Sequence, residues 1–158
     1  QVVHIDEGFD FLGFRLQRHT QRGSNRAYVY SYPSRKSLQT MPRNLKTLTK
    51  RITQQPADQL FRQPSRVVRG WAQYFRHSSA SQAYSSIRNY LWWRVWSWLL
   101  HKHPRTGKRA LWARHHVRGW PQYNGVRLYD PTTMHIQRYR YRGSRIPTPW
   151  ETPIAVPA

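Results

Sequence analysis

One stretch, VVRGWAQYFRHSSASQAYSSIRNYLWWRVWSWLL from Val67 to Leu100, leaves the chain few ways to fold. Trp71, Trp92, Trp93, Trp96 and Trp98 fall in it, out of eight tryptophans in 158 residues. Side chains that large fill a core or meet a partner. Ser65 is placed to cap a helix burying Val67, Val68, Trp71 and Phe75. HSSAS (His77 to Ser81) reads as a turn, with Ser81 capping a long helix to about Leu100. On that helix Tyr84, Ile87, Leu91, Val95 and Trp98 or Leu99 share one face, with Trp92, Trp93 and Trp96 on its flanks. A helical hairpin is expected.

The chain leads into this hairpin through strands. Val2 to Ile5 is a short β-branched run. Phe9 to Arg18, FDFLGFRLQR, alternates apolar residues and predicts a strand bulged or bent near Gly13. QRGSN (Gln21 to Asn25) is a turn signal, and AYVYSY (Ala27 to Tyr32) returns as the second strand of a hairpin ended by Pro33. Ser34 then stands at a helix N-cap, followed by a stripe of Leu38, Met41, Leu45, Leu48 and Ile52. Pro42 interrupts the stripe, by a kink or by starting a new helix at its first position. Pro56 closes this segment, and Pro64 is expected to break the chain after a short helical piece over Ala57 to Arg62.

Beyond the hairpin, HKHPRTGKR (His101 to Arg109) reads as a basic loop and Ala110 to Val117 as a fourth helix ending at Gly119. Turns then separate extended pieces at Val126 to Tyr129 and His135 to Tyr141. RYRYRG (Arg138 to Gly143) on a strand separates guanidiniums from rings, and the proline-rich end after Arg145 reads as a weakly ordered tail. The expected fold is mainly α: a helical bundle with a small N-terminal β-hairpin and an irregular basic C-terminal extension.

Charge narrows the function. Twenty-seven Lys and Arg stand against six acids, a net +21, far above the roughly 2 to 8 that solubility needs. Such repulsion points to a polyanionic partner, nucleic acid first and an anionic membrane surface second. The most apolar run, Leu91 to Leu100, is half of the ~20 residues needed to cross a bilayer and holds Arg94. There is no cysteine, which excludes disulfides and thiolate metal sites. His101, His103, His115 and His116 lack the spacing and acids of a zinc site, so no metal is expected. No Ser/His/Asp set or carboxylate pair is arranged for acid–base work, and catalysis by this chain alone is not expected. The chain begins at Gln1 without a signal peptide and enters strand-like sequence at once, the expected pattern of a fragment or processed product.

Arg69 and Arg76, beside Tyr74 and His77 on the RGW helix, are expected to contact phosphates, with Trp71 in the core. Arg88 and Arg94 extend that basic surface along the next helix. Of Trp92, Trp93 and Trp96, at least one is expected to stack on an unpaired base, Trp93 first, and the others to pack against the first amphipathic helix. Lys102, Arg105, Lys108 and Arg109 form a loop cluster open to RNA or simply solvated. Arg35, Lys36, Arg43, Lys46, Lys50 and Arg51 cover the polar face of the first amphipathic helix.

These residues carry a family resemblance. HIDEGFDFLGFRLQR (His4 to Arg18) resembles the segment closing the palm of bacterial group II intron reverse transcriptases, and PSRKSL (Pro33 to Leu38) the start of their thumb. VVRGWAQYFRH (Val67 to His77) resembles the hallmark of their maturase-specific domain, often called domain X. YLWWRVWSWLLHKHP (Tyr90 to Pro104) continues it, and RLYDPTTMHIQRYRYRGSRIPTPW from Arg127 is similar, more loosely, to the family's post-maturase segment. The resemblance implies a palm end over 1–32, a thumb-like segment over 33–62, domain X helices over 63–119 and a basic extension over 120–158. It implies an RNA-binding maturase part that holds structured group II intron RNA and assists its splicing. Paired palm aspartates, which a polymerase needs for two metal ions, are not found in a matching turn, because only Asp6, Asp10, Asp58 and Asp130 are present. No cofactor is therefore expected here; magnesium would belong to an absent palm or to the RNA. One alternative is a thumb acting with a separate palm and fingers part; another is a basic DNA-binding module. No membrane partner is expected. The implied setting is the bacterial cytoplasm, or an organelle.

Overall fold

The computed structural model describes residues 4–20, 23, 27–50 and 56–137, without the side chains of Lys50 and Ala57. The order is β1 (Phe9–Phe11), β2 (Phe14–Thr20), β3 (Ala27–Pro33), α1 (Arg35–Lys50), α2 (Ala57–Phe75), α3 (Ser81–Lys102) and α4 (Lys108–His115), then β4 (His116–Val117), β5 (Trp120–Tyr123) and β6 (Val126–Arg127). The protein is mainly helical, with a small antiparallel sheet before the helices.

The expected bulge near Gly13 is instead a complete turn. Phe11 pairs with Phe14 across Leu12 and Gly13, whose φ angles of 47° and 80° make the two-residue turn that matches strand twist. A bulge and a two-residue turn both shift apolar parity by one, so alternation does not distinguish them. A Cβ at Gly13 would sit 3.0 Å from Ser37 Oγ, so the turn is pressed onto the start of α1. β2 pairs with β3 from Phe14↔Pro33 to Thr20↔Ala27. Most of the QRGSN turn lies outside the described residues.

Ser34 caps α1 as its position suggests, its Oγ accepting from the Ser37 N–H at 3.2 Å. The helix then runs unbroken through Pro42. Proline lacks the N–H that would bond the Leu38 carbonyl, and burial of Met41, Leu45 and Thr49 on one face stands against that loss. Leu38 is exposed rather than part of the buried stripe, and Ile52 lies outside the described residues.

α2 corrects a second expectation. It runs unbroken through Pro64, which is fully buried, and Ser65 caps nothing. The Ser65 Oγ instead accepts from the Tyr129 N–H at 2.9 Å, tying α2 to the far end of the chain. α2 thus spans the 62/63 position where a thumb-like segment was expected to end. Leu60, Phe61, Val68, Ala72 and Phe75 are buried, while Val67 is exposed.

On α3 the expected face of Tyr84, Ile87, Leu91, Val95, Trp98 and Leu99 is buried. Ser81 is its first residue, and Ala80 stands at the cap without a side-chain bond. α4 starts and ends two residues earlier than expected.

The expected irregular extension is partly regular. β4, β5 and β6 form a second meander through two more left-handed pairs, Arg118–Gly119 and Asn124–Gly125. It places Trp120 in the core, where the Trp120 Nε1–H donates to the Leu128 carbonyl at 2.7 Å. Asp130 then caps a 3-10 turn over Pro131–Thr133 through the Thr132 N–H. His135 to Gln137 form no strand, and the RYRYRG run and the proline-rich tail lie outside the described residues.

The α2–α3 joint depends on one buried hydroxyl. The Arg76 N–H turns to the Gln73 carbonyl, and Tyr84 Oη–H donates to the Ala72 carbonyl at 2.6 Å. Burial pushes the Tyr84 phenol up to about 12, so it stays a donor throughout the ordinary pH range. Tyr84→Phe leaves that carbonyl buried without this partner and should cost ~1–3 kcal/mol in denaturant unfolding. An unchanged midpoint would contradict this.

Candidate nucleic-acid interface

Three of the six acids pair with arginines. Asp6 takes a bidentate bond from Arg18 at 2.5 and 2.7 Å, Asp10 pairs with Arg15 at 3.3 Å, and Asp130 with Arg88 at 2.9 Å. The Arg18 bond holds the Asp6 carboxyl below its ordinary value. Among the described residues, no cation of α1, α2 or α4 forms an ion pair with an acid.

The expected contact residues divide by what holds them. Arg35, Lys36, Arg43 and Lys46 are exposed along α1, and Arg105, Lys108 and Arg109 are exposed at the α3–α4 loop. The side chain of Lys50 and all of Arg51 lie outside the described residues. Arg69 is exposed on α2, its guanidinium 5.0 Å from the Tyr129 ring centre. Lys102 lies over Trp98 at 4.7 Å.

Other expected contacts hold the fold together. Arg94 donates twice to Thr49 Oγ1, at 2.9 and 2.7 Å, joining α3 to α1. Arg88 lies between Asp130 and the Trp120 ring, 4.6 Å from its centre. Tyr74 is 52% exposed, yet its hydroxyl donates to the Leu12 carbonyl at 2.6 Å and docks the first meander on α2. Arg76 Nε–H donates to His77 Nε2 at 2.9 Å, so the neutral ring carries its proton on Nδ1 and donates to the Gln137 carbonyl at 3.0 Å. The Gln137 N–H returns a bond to the Arg76 carbonyl at 2.9 Å. Sequence spacing does not mark Arg88 and Arg94 as tethered, since their partners lie 42 and 45 residues away.

Trp93 is 64% exposed and stands edge-on against Trp92 at 4.8 Å. Trp92 and Trp96 are half-buried, and their rings meet Trp112 and His116. Trp112, exposed and stacked on His116 at 3.8 Å, was not singled out in the sequence, because a short helix with one tryptophan carries no periodic signal.

A model of the group II intron maturase-specific domain matches residues 38–117, just over half of the 158. The chain belongs to that family. No curated protein matches it significantly. The matched part of the chain covers most of α1 and all of α2, α3, α4 and β4, and so holds the exposed Arg43 and Lys46 of α1 and Arg105, Lys108 and Arg109 of the α3–α4 loop, while Arg35 and Lys36 precede it. It supports a group II intron maturase function. Among the described residues of this maturase chain, no three His, Asp or Glu converge as a metal group. No helix among them is long and apolar enough to cross a membrane.

The buried histidines of the maturase fold give it a pH dependence. His115 stacks between His103 and Tyr123, at 5.7 and 5.1 Å, both His115 and His116 are buried, and among the described residues His115 Nε2 has no hydrogen-bond partner. Burial first, and for His115 the neighbouring His103 next, pushes both below the ordinary histidine value. Below about pH 6.5 the unfolded chain therefore binds protons that the folded rings refuse, and stability falls with acidification. Thermal melts from about pH 7.5 to 5 should show this fall. The His115→Gln/His116→Phe variant should show a flatter profile; an equal slope would contradict the assignment.

Proposed function

We propose that this maturase chain binds structured group II intron RNA and assists splicing by holding that RNA in its active fold. The carrying observation is the coincidence of the matched region with exposed cations that, among the described residues, form no ion pair with an acid: Arg43 and Lys46 on α1, Arg69 on α2, and Arg105, Lys108 and Arg109 at the α3–α4 loop. Where RNA helices crowd together, such cations offset phosphate repulsion and release counterions. A-form RNA offers little base readout in its deep groove, so shape and phosphate contacts do most of the work. Trp93 supplies an exposed ring for an unpaired base. The chemistry of splicing belongs to the RNA and its own magnesium ions.

A second reading has one observation in its favour. The meander resembling the end of a palm is docked on α2 through Tyr74 and by Phe14, whose ring is 4.8 Å from Phe75. A thumb working with a separate polymerase part would use that same joint. Primer extension restored by adding a palm and fingers part would favour it.

Binding to a group II intron RNA should weaken steeply with salt. Changing Arg105, Lys108 and Arg109 to Gln should reduce the slope of log K against log salt by about 2 to 3, near one unit per lost phosphate contact. A flat salt response in the unaltered chain would contradict the proposal.

A further inference from the structure

A groove lies where the Leu12–Gly13 turn meets α1 and α2. Its volume is about 440 Å³, inside the roughly 300–1,000 Å³ range of small-ligand sites. Trp71, Tyr74 and Phe75 line one side, and Lys36, Thr40 and Asn44 the other. The last three are spaced by four along α1 and so share one face. No acid lines the groove.

Most polar groups in it are already engaged. Tyr74 Oη–H donates to the Leu12 carbonyl at 2.6 Å, Ser37 Oγ–H to the Gly13 carbonyl at 3.0 Å, and Thr40 Oγ1–H to the Lys36 carbonyl at 2.8 Å. Among the described residues, the Lys36 ammonium and the Asn44 side-chain amide have no hydrogen-bond partner. The groove thus presents the rings of Trp71 and Tyr74 above a buried Phe75, one amide with both donor and acceptor, and one cation. Those are the parts needed to stack a nucleobase, pair its edge and hold its phosphate.

We propose that this groove takes one unpaired base of the bound RNA, stacked on the Trp71–Tyr74 side, read by Asn44 and anchored through its phosphate by Lys36. An apolar side chain from a protein partner would leave Lys36 and Asn44 unused, and the net charge of +21 favours the nucleotide. The site rests on the RNA-binding function proposed for the chain. It adds what phosphate contacts alone do not provide: a preference for RNA with an extruded base.

The test uses the full chain and three RNA hairpins sharing one stem, followed by fluorescence anisotropy. One stem is fully paired, one carries a single bulged adenosine, and one carries an abasic bulge. The bulged adenosine should bind about 10-fold tighter than the other two, the scale of one base–aromatic stack. Thr40→Trp, which fills the groove from an exposed position on α1, should bring the bulged RNA to the paired level and leave the paired stem unchanged. Asn44→Ala should remove part of the preference. Equal binding of adenosine and abasic bulges overturns the proposal, as does a preference that survives Thr40→Trp. So does an equal loss for every RNA in both variants, which would mark the groove as structural. Binding to none of the three, with no salt dependence, would instead defeat the RNA-binding function itself.

Discussion

The C-terminal turn of α2 carries an obligation that every helix end carries: its last carbonyls have no helical partner. Here other parts of the chain supply the donors. Tyr84 of α3 bonds the Ala72 carbonyl, Ser78 takes the Phe75 carbonyl with both N–H and Oγ–H, and the Gln137 N–H takes that of Arg76. On the same turn Tyr74 reaches back to the first meander, and the Ser79 N–H bonds the Ser31 carbonyl of β3. One helix end therefore gathers the sheet, the long helix and the C-terminal segment. That is why the RGW helix sits at the centre of the fold.

This joint also decides which basic residues are free to meet a partner. Arg88, Arg94 and Arg76 are engaged within the protein, and their placement fixes how α1, α3 and the second meander lie on one another. Arg35, Lys36, Arg43 and Lys46 of α1 and Arg105, Lys108 and Arg109 of the α3–α4 loop are exposed, with no ion pair to an acid among the described residues. A compact domain with a net +21 repels itself, and a bound polyanion relieves that repulsion as it gains contacts.

Much of this was legible in the sequence where local physics rules. The buried face of α3 followed its spacing, and Ser34 capped α1 as a serine before a helical stripe should. The RGW and aromatic stretches carried the family resemblance, and the matched maturase-specific domain agrees with it. Failures came where tertiary contacts override local rules. Pro42 and Pro64 break isolated helices, but here flanking side chains are buried deeply enough to keep both helices continuous. Ser65 looked like a cap and serves Tyr129 instead. Arg94 and its partner Thr49 are separated by 45 residues, so no spacing rule marked that arginine as structural. The groove carried no sequence signal because Thr40 and Asn44 are uncharged, while the polar face of α1 was weighed by its cations.

The proposed function requires this charge to serve structured RNA and not nucleic acid in general. The direct measurement is nuclease protection of a folded group II intron RNA by the full chain, with duplex DNA added as competitor. A defined set of RNA positions should stay protected when duplex DNA is present in large excess. Loss of protection at equal amounts of DNA and RNA would contradict it, and would leave a basic module that binds any polyanion.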